Sequence, residues 1–188
     1  MKKIIIIFIW IIYPWIIWTQ TNDTYDIYSQ IIIKDFSKSY KLIAIEKLTP
    51  IGFGDIKDSD YVYFKQNLKN LKKETFDNFR TNNEKADSIK NYFSNNLNVI
   101  ILTKTDIDSI FFEKNSDWEA FYKKNGQTQG LLSFSNIGFD KEHQQALLYY
   151  GNQSDWLEGD GYFILFEKIS GKWIEKSSFM SWISYMYL

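Results

Sequence analysis

The chain has 188 residues, of which 45% are hydrophobic and 19% aromatic, a composition typical of a folded domain and not of a disordered segment. Its formal charge is −1 and Arg80 is its only arginine, so the sequence offers no basic surface for nucleic acid. It has no cysteine, which excludes disulfides, thiolate metal sites and a cysteine nucleophile.

The N-terminus has the pattern of a secretory signal peptide. Two lysines precede an uncharged run from Ile4 to Trp18, which is shorter than the roughly 20 apolar residues that a membrane-spanning helix needs. We therefore predict a signal peptide at residues 1–19 and a single exported domain at residues 20–188, in the periplasm or cell envelope, or secreted. The alternative is an uncleaved segment that anchors the protein, which is the one case that implies membrane contact.

The next part of the chain predicts a series of helices. Apolar residues from Tyr25 to Ile32 recur at helical spacing, and Thr24 is placed to cap that helix. A second amphipathic stripe begins at Tyr61 and changes phase near Lys72-Lys73. The change of phase predicts a bend between two helical segments.

Two predicted strands alternate with three further predicted helices. Two short apolar runs rich in isoleucine predict strands, at Leu42–Leu48 and Leu97–Thr103. The further helices are predicted over Ala86–Phe93, after a cap at Thr105, and after a capping box formed by Ser116 and Glu119.

From Gly130 onward the pattern changes to strands. Four aromatic and aliphatic runs predict them, at Leu131–Ile137, Gln145–Tyr150, Tyr162–Ile169 and Lys172–Ser184. Ser170-Gly171 has the composition of a two-residue hairpin turn. Both faces of the Tyr162–Ile169 run are apolar, which predicts a central strand covered on each side. The fold class is therefore α+β: N-terminal helices with two strands, followed by a C-terminal antiparallel β-meander.

The segment 151–161 carries the candidate binding residues: Asp155, Trp156, Glu158 and Asp160. Carboxylates beside glycines suit a hard cation, but their spacing does not match a calcium-binding loop. We predict a polar loop between strands; the alternatives are a cation site and a binding loop in which Trp156 is an exposed aromatic anchor. No metal site and no cofactor are predicted.

Catalytic motifs are absent from the sequence. His143 is the only histidine, its neighbours are typical of a solvated turn, and no serine lies in a G-x-S-x-G motif. We therefore predict no catalytic residue. The alternative is a small exported hydrolase that uses Ser133 or Ser135 with His143, or a pair of carboxylates.

The C-terminal third resembles a family of uncharacterised exported proteins of Gram-negative bacteria. Five short segments carry the resemblance: Gly130–Asp140 (GLLSFSNIGFD), Gln145–Gly151 (QALLYYG), Gly159–Tyr162 (GDGY), Gly171–Trp173 (GKW) and Trp182–Ser184 (WIS). They are aromatic and glycine positions of a sheet and include no catalytic residue. The resemblance implies export and a fold that ends in a sheet, and it implies no activity.

The function expected from the sequence is that of an exported, non-enzymatic protein that binds a protein or a small ligand in the envelope. A protective or immunity-type role falls within this interpretation.

Overall fold

A computed structural model describes residues 23–50, 53–112 and 117–184; the predicted signal peptide lies outside these ranges. The described helices are α1 (residues 23–35), α2 (Tyr61–Asn67), α3 (Lys73–Asn82), α4 (Lys104–Phe111) and α5 (Trp118–Asn125). Two 3-10 turns, Phe53–Asp55 and Asp58–Asp60, precede α2.

Seven strands in the described part of the chain form one mixed sheet. They are β1 (Ile43–Glu46), β2 (Val99–Leu102), β3 (Leu131–Phe134), β4 (Gly138–Phe139), β5 (Gln145–Asp155), β6 (Glu158–Ile169) and β7 (Lys172–Ser184). The order is β2-β1-β3-β5-β6-β7, and β4 pairs with β5 beside this path. β1 is parallel to β2 and β3, and the pairs β3–β5, β5–β6 and β6–β7 are antiparallel. The predicted α+β class and the C-terminal antiparallel series are confirmed.

α1 covers one face of the sheet. Its buried residues Ile27, Ile31 and Ile32 pack in one cluster with sheet residues such as Ile45 and Phe166. Tyr28 stacks on Phe134 with ring centroids 4.5 Å apart. Burial on this scale stabilises the helix far more than its own propensity does.

The other face of the sheet is covered by α2 to α5. Phe64, Phe76 and Phe79 pack on the side chains of β5 and β6 that point away from α1, among them Phe163. α3 approaches β4 so closely that a Cβ at Gly138 would lie 2.3 Å from the backbone nitrogen of Phe79. Phe121 of α5 packs in a third cluster nearer β1 and β2. β6 is therefore covered on both faces, as its two apolar faces predict.

The two hairpins of the meander turn tightly. Ser170 and Gly171 have φ angles of 50° and 79° between the paired residues Ile169 and Lys172, which confirms the predicted two-residue turn. The β5–β6 hairpin differs from the prediction. Its strands continue to the pair Asp155–Glu158, so most of the segment expected as a polar loop is strand. The pairing of β5 with β6 supplies its backbone hydrogen bonds.

Three predictions about helices are wrong. Thr24 lies inside α1 and does not cap it. α4 is capped by Thr103, two residues before the predicted Thr105, because the Thr103 hydroxyl accepts from the Asp106 amide at 3.2 Å and the Asp106 carboxylate accepts from the Thr103 amide. The stripe Ala86–Phe93 is not helical, since the Ile89 amide donates to the Lys47 carbonyl at 2.8 Å.

The capping box predicted for α5 is replaced by a different cap. Asp117 is the N-cap, and its carboxylate accepts a hydrogen bond from the Ala120 amide at 2.8 Å. Ser116, which was predicted for this role, lies outside the described residues.

Within residues 23–50, 53–112 and 117–184, no helix has the length and apolar character needed to cross a membrane.

Candidate functional site

A groove of about 380 Å³ opens where the sheet extends beyond the C-terminal end of α1. α1 contributes Lys34 and Asp35 to it, and each of the strands β5, β6 and β7 contributes further side chains. Its charged and polar lining consists of Lys34, Asp35, Tyr150, Asn152, Asp160, Tyr162, Glu175 and Ser178. We call this site the acidic groove.

Aromatic rings form the floor of the acidic groove. Tyr150 and Tyr162 are partners in the β5–β6 register, and their rings stack with centroids 5.7 Å apart. Phe36, just beyond α1, meets Tyr150 edge-on at 6.2 Å. The strand pairing therefore sets the positions of the two tyrosines, and the end of α1 closes the floor on one side.

The donors that line the acidic groove are already directed at acceptors. The Tyr150 hydroxyl donates to the Asp35 carboxylate at 3.1 Å, and the Lys34 ammonium donates to the Glu175 carboxylate at 2.8 Å. Tyr162 makes a hydrogen bond with Asp160. The carboxylates have further lone pairs, because an ionised carboxylate accepts about four hydrogen bonds.

The electrostatics of the groove are negative. Three carboxylates (Asp35, Asp160 and Glu175) face one ammonium (Lys34), which leaves a formal charge of −2. Burial and the neighbouring Asp35 raise the pKa of Asp160, although the hydrogen bond from Tyr162 opposes them. The raised pKa means that the charge of Asp160 is incompletely compensated by its surroundings.

Two other side chains of the acidic groove, those of Tyr150 and Asn152, also lie in surroundings rich in acceptors. Burial and the charge of Asp35 also raise the pKa of Tyr150. The side-chain oxygen Oδ1 of Asn152 is buried and has no hydrogen-bond partner among the described residues, while its amide nitrogen donates to the Gln129 carbonyl at 2.9 Å. The groove therefore has acceptors in excess of donors.

The structure separates the four residues that the sequence singled out. Asp160 lines the acidic groove, whereas Asp155, Trp156 and Glu158 lie at the β5–β6 turn. Trp156 is 59% exposed, and its ring meets that of Phe111 edge-on at 5.6 Å. Trp156 is thus exposed at the turn, and its role as a binding anchor stays a prediction.

The other carboxylates of the groove were not found from the sequence. Asp35 and Glu175 lie 125 and 15 residues from Asp160, at the end of a helix and on an edge strand. The alternation of β6 places Asp160 on the same face as Tyr162, but nothing in the linear order indicates that α1 ends above this face.

His143 lies at the turn between β4 and β5, as predicted, with a φ angle of 51°. Its ring stacks on Phe139 at 4.7 Å, and its Nδ1 is 3.8 Å from the buried Asp23 carboxylate, too far for a hydrogen bond. Asp23 instead accepts from Lys168 at 2.7 Å and from the Trp173 indole at 3.0 Å.

The two serines considered as nucleophiles make other hydrogen bonds. Ser135 is fully buried; its hydroxyl accepts from the Tyr149 amide at 2.8 Å and donates to the Asn136 carbonyl at 3.0 Å. Ser133 donates to the Gly151 carbonyl at 3.4 Å. Both hydroxyls thus bond backbone groups of β5, and that of Ser135 also bonds the Asn136 carbonyl just after β3. Among the described residues, neither bonds the imidazole of His143.

A second group of carboxylates lies near the start of β5. Oxygens of Glu74, Asp140 and Glu142 come within 4.8 Å of one another. The Asp140 carboxylate, however, is bound by the Lys72 ammonium and accepts from the amides of Gln144 and Gln145, each at 2.7 Å. These contacts neutralise Asp140 and account for its burial without an ion.

No protein-family model, curated protein or solved structure matches this chain.

Proposed function

We propose that the protein is an exported, non-enzymatic binding protein whose acidic groove holds a cationic amine or guanidinium group. The carrying observation is the excess of acceptors over donors around Asp35, Asp160 and Glu175. A ligand that brings N–H donors and positive charge supplies what the groove lacks, because charge-assisted hydrogen bonds are the stronger kind.

The aromatic floor supports the same ligand class. Tyrosine faces attract cations through the ring quadrupole, and the attraction grows when the cation is desolvated. Tyr150 and Tyr162 stack on each other and line the same groove as the carboxylates. A flexible polyamine and a lysine or arginine side chain of an envelope partner share this chemistry.

Two features of the sequence support the export that this proposal includes. The predicted signal peptide at residues 1–19 and the resemblance of the C-terminal third to exported proteins both favour the periplasm or cell envelope. A role as a protective or immunity-type protein is compatible with capture of a basic side chain on an incoming protein.

The test is calorimetric titration of the purified mature chain with spermidine at low ionic strength. We expect saturable binding, which Asp160→Asn weakens about tenfold or more, since removal of a partly buried charge partner costs at least about 1.4 kcal/mol. Glu158→Gln is the matched control: it removes one charge from the same strand at an exposed position outside the groove. An equal loss in both variants would reduce the effect to general electrostatic attraction and contradict a specific site.

A second candidate function rests on the raised pKa of Asp160 beside Asp35. Carboxylates whose environments differ can serve as general acid and general base in glycoside hydrolysis. This candidate predicts turnover of a chromogenic glycoside that Asp160→Asn and Asp35→Asn each abolish. Binding of spermidine without any turnover favours the first function.

A further inference from the structure

A second cavity, of about 420 Å³, lies at the opposite end of α1 from the acidic groove. It is bounded by the first turns of the described part of α1, by the irregular segment 83–93, and by the turn that joins β3 to β4. We call it the polar cleft. Its lining is chemically different from that of the groove.

The hydroxyl groups of the polar cleft are positioned by backbone contacts. The Tyr25 hydroxyl accepts from the Lys90 amide at 2.6 Å, and the Thr49 hydroxyl accepts from the Asp87 amide at 2.7 Å. Among the described residues each hydroxyl accepts one hydrogen bond and donates none, so its own proton can be donated to a ligand. The cleft thus offers fixed groups that can both donate and accept.

The walls of the cleft are rigid. Asn83 and Asn136 form a reciprocal pair, in which the Asn136 amide donates to the Asn83 side chain and the Asn83 side chain donates to the Asn136 carbonyl, both at 2.9 Å. Asn82 adds a bond to the Ile137 carbonyl at 2.8 Å. These bonds join the end of α3 to the β3–β4 turn, so the site is formed before any ligand arrives, which reduces the entropy that binding must overcome.

The polar cleft is electrically balanced and carries an aromatic rim. Its two charged residues, Asp87 and Lys90, are exposed and opposite in sign. Tyr92 is 58% exposed and meets Tyr25 edge-on at 5.3 Å. A neutral ligand is favoured, with an apolar face for the ring and hydroxyl groups for the walls.

We infer that the polar cleft binds a neutral saccharide. A sugar ring has an apolar C–H face that lies against an aromatic side chain, and its hydroxyls both donate and accept. The volume is within the range of about 300–1,000 Å³ typical of small-ligand sites. This inference is independent of the acidic groove, which has more acceptors than donors and favours a cation.

The test uses three neutral disaccharides, cellobiose, maltose and N,N′-diacetylchitobiose, each at millimolar concentration with the purified chain. Saturation-transfer NMR detects binding and calorimetry measures the affinity. We expect at least one disaccharide to bind, Tyr92→Ala to weaken it roughly five- to tenfold through loss of one stacking contact, and excess spermidine to leave it unchanged.

The matched control is Tyr63→Ala. Tyr63 is 55% exposed, but it lies on α2, on the other face of the sheet, so we expect wild-type affinity. Because Tyr92 is mostly exposed, Tyr92→Ala retains the fold, which circular dichroism verifies. Absence of binding by all three disaccharides, or equal affinity of the wild-type and Tyr92→Ala proteins, overturns the inference.

Discussion

In three aspartates of this protein, the neighbouring groups determine whether the carboxylate has a structural role or is available to a ligand. Asp140 is buried and accepts hydrogen bonds from Lys72 and two backbone amides. Asp23 is also buried, and it binds Lys168 and the Trp173 indole. Both are structural, because their lone pairs are used by the protein. Asp160 has a tyrosine partner and a second carboxylate nearby, so it remains available to a ligand.

Asp140 makes a testable contribution to stability. Burial alone would raise the pKa of Asp140, but hydrogen bonds from Lys72, Gln145 and Gln144 outweigh it and hold that pKa below its usual value of 3.8. A depressed folded-state pKa stabilises the protein above 3.8, and this stabilisation is lost as the pH falls toward and through the lower value. We expect Asp140→Asn to lower the free energy of unfolding at neutral pH by about 2 kcal/mol.

Denaturant titrations at several pH values between neutrality and pH 3 check this prediction. The difference between the wild-type and Asp140→Asn proteins should narrow as the pH falls. Glu142→Gln is the control, since Glu142 lies on the same turn but is exposed, and its effect should stay within about 0.5 kcal/mol. A constant difference at all pH values would show that the ionised form of Asp140 is not the stabilising one.

At the level of elements, β7 links the meander to α1. Its residue Trp173 is 2% exposed, packs in the core beneath α1 and donates its indole N–H to Asp23. Lys168 of β6 lies over the same indole ring at 5.1 Å from its centroid. One side chain therefore joins the last hairpin to the first described turn of α1.

Trp173→Ala should strongly destabilise the protein. Truncation of a buried tryptophan costs about 3–5 kcal/mol, a large part of the roughly 5–15 kcal/mol that holds a domain folded. Chemical denaturation monitored by circular dichroism measures the change. Ile174→Ala serves as the control because Ile174, the next residue, is 43% exposed. If the two substitutions cost the same, the hairpin is not anchored through Trp173.

At the scale of the whole molecule, the packing of α1 on the sheet determines where the two candidate sites lie. The described part of α1 borders a cavity at each of its ends: the polar cleft near Tyr25 and the acidic groove near Asp35. The polar cleft is electrically balanced, whereas the acidic groove carries negative charge. The packing of one helix on the sheet thus positions both sites.

At the scale of the whole chain, we predict that the protein is exported and loses its signal peptide. Residues 1–19 precede the described fold, whose first described residue, Asp23, is already helical. We expect the protein recovered from the envelope fraction of expressing cells to have lost the signal peptide. Intact-mass spectrometry distinguishes the outcomes, because a mass that includes residues 1–19 would support the uncleaved anchor. Replacing Lys2 and Lys3 with glutamate should reduce processing, since the positive n-region is part of the signal.

Local patterns in the sequence were enough to predict much of the fold. The apolar spacing of Tyr25–Ile32, the two apolar faces of β6 and the Ser170-Gly171 turn each reflect neighbours within a few residues, and the structure confirms all three. The α+β class followed from the same short-range periodicities. The helix predicted for Ala86–Phe93 does not form. Tertiary hydrogen bonds, such as that from the Ile89 amide to the Lys47 carbonyl, outweigh a weak helical pattern.

The candidate sites were decided by tertiary structure. The sequence singles out Asp160, but its neighbours in the groove come from a helix end 125 residues away, Asp35, and from the edge strand 15 residues away, Glu175. Which residues share a face depends on the order β2-β1-β3-β5-β6-β7 and on where α1 stops. Periodicity determines which way a side chain points along its own strand, whereas the identity of its neighbours across the sheet depends on long-range packing that no local pattern encodes.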